Sequence, residues 1–125
     1  MRTEGKSPLP AGDAPQALLP NISENEVRTL AWELCGIVRV REELERALQI
    51  LNRTAPESAS GKPAEAQDLA GFELRNLHAV ASLIAHCALW REESRGAHYR
   101  TDFPVSRPEF QRPSSISRIA SAIRA

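Results

Sequence analysis

Aromatic residues are scarce, at 5% of 125 residues. Glycine is scarcer still where chemistry would need it. The six glycines are scattered at positions 5, 12, 36, 61, 71 and 96, and they form no G-x-G-x-x-G or G-x-x-x-x-G-K run. A dinucleotide or phosphate cradle built by this chain alone is therefore not expected. No apolar run approaches the roughly 20 residues that a membrane helix needs. Charge of one sign is missing too. Sixteen basic residues balance 16 acidic ones, so bulk charge directs the chain to neither nucleic acid nor a membrane surface. The first residues hold Pro8, Pro10, Pro15 and Pro20 and no apolar h-region of about 7–15 residues, so they do not read as a secretory signal. Glu4 and Asp13, in a stretch poor in arginine, speak against a transit peptide.

Cysteine is limited to Cys35 and Cys87. Two cysteines without a C-x-x-C pair do not make a zinc site. Both fall on apolar faces of expected helices, so both are read as reduced core residues. A disulfide would require an oxidising compartment, which nothing in the sequence indicates. The expected location is the cytoplasm.

What the chain does have is helical periodicity. Residues 1–22 are expected to be a disordered lead-in, given their prolines and Gly5 and Gly12. Ser23 and Glu26 then form a capping box, with Ile22 and Val27 placed for a hydrophobic staple. Val27, Leu30, Ala31, Leu34, Cys35 and Val38 repeat at helical spacing. Gly36 terminates or loosens this first helix, and Trp32 lies on its other side. A second helix is expected over 41–52, with Leu44, Ala47, Leu48 and Leu51 as its stripe. Residues 53–67 carry Pro56, Gly61 and Pro63 and read as a loop.

The third helix is expected over 68–95, with Gly96 as its C′ residue. At 1.5 Å per residue it would be roughly 40 Å long. Its apolar residues cover an arc of roughly 200° on the helical wheel. One side carries Leu74, Leu77, Ala81, Ile84 and Ala88, and the adjacent side Val80, Leu83, Cys87 and Trp90. The polar strip is Arg75, His78, Ser82, His86 and Glu93. Two short helices cannot cover so wide an arc along its whole length. Either the tail folds back over the remainder or another protein surface covers it. The tail beyond 104 is Pro-rich and basic, with a short amphipathic pattern at Ile116, Ile119, Ala120 and Ile123. Its plain reading is a solvated, partly ordered segment.

Few residues point to self-contained catalysis. His78 and His86 lie two turns apart, about 12 Å along a helix axis, too far to share a metal. They read as surface histidines. Ser82 between them has no acid to orient a histidine and no visible oxyanion donors. The dense polar cluster follows the third helix: Arg91, Glu92, Glu93, Ser94, Arg95, Gly96, His98, Arg100 and Asp102. Glu92 and Glu93 sit where a helix dipole disfavours negative charge, which implies cationic partners, and Arg95, Arg100 and His98 are near enough in sequence to serve. Gly96, Tyr99, Phe103 and Pro104 mark a shaped turn.

Residues 91–104, REESRGAHYRTDFP, resemble the signature near the C-terminus of succinate dehydrogenase and fumarate reductase flavoproteins and L-aspartate oxidases. The resemblance extends through ELRNL at 73–77, LIAHCALW at 83–90 and LAWELCGIVR at 30–39. The GIVR and ELRNL pieces look more like L-aspartate oxidase. The similarity covers about residues 23–104 and weakens after Pro104. Where family members often show a His–Ser pair, this chain has Pro113 and Ser114.

The resemblance implies an all-α three-helix bundle with a long third helix, packed against the flavin-binding part of a larger protein. It implies a parent activity that oxidises L-aspartate to iminoaspartate with FAD, feeding NAD biosynthesis. The family's flavin and substrate residues lie upstream, so no catalytic, cofactor-binding or metal residue carries over, and this chain alone is not expected to bind FAD. What carries over is a structural and interface motif: Glu93, Ser94, Arg95, Gly96, His98, Arg100 and Asp102, with Trp90 and Leu83 on the adjoining helix face. The expected organisation is a lead-in at 1–22, a three-helix domain at 23–104 and a tail at 105–125. The expected partner is the flavin-binding domain of an L-aspartate-oxidase-like protein, with no nucleic acid and no membrane. A free-standing helical interaction module is the alternative. An enzyme with an unseen site would show a buried polar pocket where Glu93, Arg95 and His98 converge.

Overall fold

Ser23 opens the first helix as its spacing to Glu26 predicts. In the computed structural model, which describes residues 20–56 and 69–116, helix α1 spans Glu24–Leu34. The Ser23 amide donates to Glu26 Oε2 at 2.8 Å, and the Glu26 amide donates to Ser23 Oγ at 3.4 Å. Two backbone donors that the helix cannot satisfy are thus paired. Ile22 and Val27, the staple residues, are both buried. Most of the expected disordered lead-in, residues 1–19, lies outside the described residues.

Helix α1 stops at Leu34, with the Cys35 amide bonded back to Ala31 O at 3.1 Å. Val38, read as the last residue of the first apolar stripe, therefore leaves the helix and stands exposed. The close approach at Gly36 sets this exit. A Cβ there would lie 2.7 Å from the carbonyl oxygen of Trp32, a distance that requires the backbone to shift. Gly36→Ala is expected to cost roughly 1–3 kcal/mol. Urea unfolding should show this as a lower midpoint at constant slope. An unchanged midpoint would mean that the α1 exit relaxes freely.

Two short ladders that helical periodicity does not foretell tie the chain together. Strand β1, Asn21–Ile22, pairs in parallel with β3, Ala55–Pro56. Strand β2, Val38–Arg39, pairs in parallel with β4, Tyr99–Arg100. Strands of two residues have no pattern of their own to read. Helix α2 spans Arg41–Asn52, and its expected stripe of Leu44, Ala47, Leu48 and Leu51 is buried. Among the described residues the architecture is mostly helical, with three helices around one core.

Helix α3 spans Leu69–Trp90, 22 residues, or about 33 Å. The expected start at Asp68 lies outside the described residues, and the expected end at Arg95 is five residues too late. The helix packs chiefly on α2, and α1 packs on both. Its buried stripe is Gly71, Leu74, Ala81, Ala85 and Ala88. Four of these five are small, and they share the core with Leu44, Leu48 and Leu51 of α2. A second apolar face, Leu69, Phe72, Val80, Leu83 and Ile84, is exposed. On a wheel it lies roughly 145° from the buried stripe. Ile84 was expected beside Ala81 and Ala88 and belongs to this uncovered face instead. Cys87 lies on the same face and is half-buried rather than in the core, while Cys35 is buried; both are free thiols. His78 is not a surface residue either. It is half-buried, with Nε2 3.2 Å from the Leu51 carbonyl at the end of α2.

Candidate functional site

The reason α3 stops at Trp90 is a side chain from ten residues further on. The guanidinium of Arg100 is fully buried and its Nη1 donates to the carbonyls of Ala88 and Leu89, each at 2.9 Å. It caps carbonyls that a helix end leaves without partners. Its other edge makes a two-pronged pair with Asp102, Nε to Oδ1 at 2.8 Å and Nη2 to Oδ2 at 2.5 Å. Phe103 lies under it, 4.9 Å from ring centroid to guanidinium, a favourable cation–π placement. Asp102 is held below its ordinary carboxylate range, first by the hydrogen bonds from Arg100.

Ser94 fixes the loop that delivers Arg100. Its hydroxyl accepts from the Arg100 amide at 2.9 Å and lies 2.8 Å from the Phe103 carbonyl. Residues 95–98 close a tight turn, with Arg95 N–H to His98 O at 2.8 Å and His98 N–H to Arg95 O at 3.0 Å. Gly96 is not the helix C′ residue; it occupies this turn at φ 58°, a left-handed conformation that glycine adopts without strain.

Glu93 lies past the helix, so the expected conflict with the helix dipole does not arise. Its carboxylate is buried and accepts from Arg91 Nη1 at 2.6 Å, Arg95 Nε at 3.0 Å, Arg95 Nη2 at 3.1 Å and the Arg107 amide at 2.7 Å. The Arg95 bonds are the largest cause that lowers its pKa, to about 2, against the opposing effect of burial. Glu92 pairs with Arg41 of α2 at 2.9 Å. His98 Nε2 lies 3.1 Å from the Arg91 carbonyl, and Nδ1 lies 2.9 Å from Arg39 Nη1. These partners assign a neutral ring with the proton on Nε2. Burial, and the surrounding Arg39, Arg100 and Arg91 charges, push its pKa down.

The structure thus brings the predicted motif together around the C-terminal end of α3. It redistributes the partners, however. Arg100 serves Asp102 and the helix carbonyls, and His98 serves Arg39. The sequence reading named Arg91 in the cluster but gave it no partner, and it did not bring Arg39, Arg41 or Arg107 to this site. Those three arrive from β2, α2 and the tail. The tail is more than a solvated strand of chain: Ser106 Oγ donates to Ser94 O at 2.7 Å. Phe110 stacks edge-on against Trp90 at 5.1 Å. The tail covers Trp90 but leaves Leu83 exposed. The amphipathic pattern at 119–123 lies outside the described residues.

The buried polar side-chain atoms of this cluster all find partners within the protein, so it acts as a latch holding α2, α3, β2 and the tail in one arrangement. The described residues do not fit a flavin. Their strands are two residues long, and the single positive-φ glycine is committed to the 95–98 turn. Among the described residues no group of three or more His, Cys, Asp or Glu is placed to hold a metal. No helix there is long and apolar enough to cross a membrane.

Residues 24–117 match the model of the family described as fumarate reductase flavoprotein C-term. The match runs beyond residue 104 and takes in the tail that packs on Trp90 and Glu93. The chain is 38% identical over 90 residues to an L-aspartate oxidase of Pyrococcus furiosus, covering 72% of this chain and 16% of that protein. It is 42% identical over 80 residues to an L-aspartate oxidase of Yersinia pestis, covering 64% of this chain and 15% of the other. It is 35% identical over 107 residues to a polypeptide of the fumarate reductase (CoM/CoB) of Methanothermobacter marburgensis, covering 82% and 20%. The chain therefore spans a fifth or less of the length of these relatives.

Proposed function

The chain belongs to the fumarate reductase flavoprotein C-terminal family, and from that membership we propose that it serves as the C-terminal structural domain of an L-aspartate-oxidase-type flavoprotein. It works by docking onto a flavin-binding domain rather than by turning over substrate itself. The parent reaction is FAD-dependent oxidation of L-aspartate to iminoaspartate, in the cytoplasm, toward NAD synthesis. The aspartate oxidase reading, over the fumarate reductase one, rests on the GIVR and ELRNL segments at 36–39 and 73–77.

The observation that carries the docking role is the second face of α3. Val80 is 50% exposed, Leu83 46% and Ile84 44%. A contiguous apolar face of this kind marks an interaction surface. Glu93 is buried on Arg91, Arg95 and the Arg107 amide. Arg95 is itself exposed, and the His98 ring turns to Arg39 and the Arg91 carbonyl. The three therefore do not converge in the buried pocket that an enzyme reading required.

The test is a pull-down of the tagged chain from its own cells, followed by an absorbance spectrum of the eluate and an aspartate oxidation assay. A yellow eluate that oxidises aspartate supports the reading, and a colourless eluate without a flavoprotein defeats it. Leu83→Ser should leave stability within about 0.5 kcal/mol, as surface substitutions do. It should weaken binding to the flavoprotein about tenfold or more. Equal affinity of the two forms would show that this face is not the contact.

A further inference from the structure

We infer that the groove between the end of α1 and the 95–98 turn receives a carboxylate of the docked partner on Arg39, flanked by an apolar side chain. The inference takes its partner from the docking reading above and its chemistry from Arg39. The groove encloses about 740 Å³ and is lined by Trp32, Ile37, Val38, Leu77 and Ala97 with Arg39 among them. Trp32 is 80% exposed and Ile37 78%, so two large apolar side chains stand unburied on its rim. Buried aromatic anchors of this type dominate binding once a partner covers them. An open groove with apolar residues standing proud suits a protein segment better than a small molecule, which an enclosed pocket would hold.

Arg39 supplies the charge. It is half-buried, and its bonds run to neutral acceptors only: Nε to the Gly36 carbonyl at 2.9 Å and Nη1 to His98 Nδ1 at 2.9 Å. The arginines around it differ. Arg28, which also lines the groove, holds Glu24, and Arg41, Arg91, Arg95, Arg100 and Arg107 each hold a carboxylate. Among the described residues Arg39 has none, and Glu33, the acidic residue lining the groove, makes no ion pair with it. Covering this groove with an apolar surface would strand a cation away from water, which is strongly unfavourable. A carboxylate opposite Arg39 removes that penalty and forms a charge-assisted pair.

The test is an NMR titration of the full chain with N-acetyl-leucyl-aspartyl amide and with its asparaginyl counterpart, which has the same shape and no charge. The aspartyl peptide is expected to move the Trp32 indole and His98 ring signals saturably. It should bind about tenfold tighter than the asparaginyl peptide, as a charged pair replaces a neutral one. A carboxylate on Arg39 also offsets one of the cations that depress His98, so the His98 titration midpoint should rise with the aspartyl peptide alone. Arg39→Met should abolish the preference. Because both peptides are compared on the unmodified chain, a misfolded variant does not decide the matter. Equal affinities, or shifts confined to other surfaces, overturn the inference. Loss of the preference in a chain that still copurifies with a flavoprotein overturns this inference alone. A preference without any flavoprotein partner leaves the groove chemistry standing and removes the docking reading.

Discussion

Arg100→Ala is expected to remove about 3–5 kcal/mol of stability, because it deletes a buried cation with four strong attachments. The side chain is fully buried, caps Ala88 and Leu89 at the end of α3, and pairs with Asp102 through both carboxylate oxygens. Alanine removes the donors of two helix carbonyls, takes both side-chain bonds from Asp102, which keeps only backbone donors, and leaves a cavity in their midst. At about 0.05–0.15 kcal/mol per residue, a domain of roughly 80 residues holds on the order of 4–12 kcal/mol in total. The variant should therefore lose from about a quarter to the whole of that stability, read as a large fall in the melting temperature followed by helical circular dichroism. Arg100→Lys is expected to recover less than half of the loss, since a point ammonium cannot fork onto Asp102 and reach the carbonyls together. A melt that moves no more than a surface substitution would, about 0.5 kcal/mol, would show that water caps α3 equally well.

Glu93→Gln is the second large effect, expected at about 3 kcal/mol. That lies at the lower end for breaking a buried ion pair, because Arg95 retains contact with solvent. All four groups bonded to Glu93 are donors. An amide can face only two of them with its oxygen, and its NH₂ then opposes the other two. Acid should reproduce part of this loss in the parent protein. The Glu93 pKa is lowered from its ordinary 4.5 to about 2 in the folded chain. Its stabilisation is therefore full above about 4.5 and is lost as pH falls through about 2. His98, also depressed below its ordinary 6.5, adds a loss that begins as pH falls below 6.5. Urea melts between pH 7 and pH 2 should show stability falling with acid in the parent and a smaller drop below pH 4.5 in Glu93→Gln. Parallel curves for the two would assign the acid transition to other carboxylates.

Much of this was legible in the residues. The Ser23–Glu26 box and the α2 stripe carry local signals, since capping and 3.6-residue periodicity act within one turn of their own backbone. The width of the apolar arc on α3 foretold an uncovered face. The motif 93–102 was visible as a cluster, but its pairing was not. Proximity along the chain assigned Arg100 and His98 to Glu92 and Glu93. The fold instead turned Arg100 under α3 and His98 toward Arg39, 59 residues away. The overestimated end of α3 has the same origin. Residues 91–95 are adequate helix formers, but the Arg100 guanidinium takes the Ala88 and Leu89 carbonyls that a longer helix would use, and Glu93 and Ser94 are bonded elsewhere. Nothing local marked Arg107 as the source of an amide for Glu93, or Phe110 as the cover for Trp90.

By itself the sequence determined the three helices, the buried stripe of α2 and the capping of α1, because each depends on contacts within a few residues. The tertiary structure decided where α3 ends, which cation meets which carboxylate, how the tail is held and which apolar face stays open. Those outcomes depend on which distant groups compete for the same buried carbonyls and carboxylates, and that competition is settled only when the chain is folded.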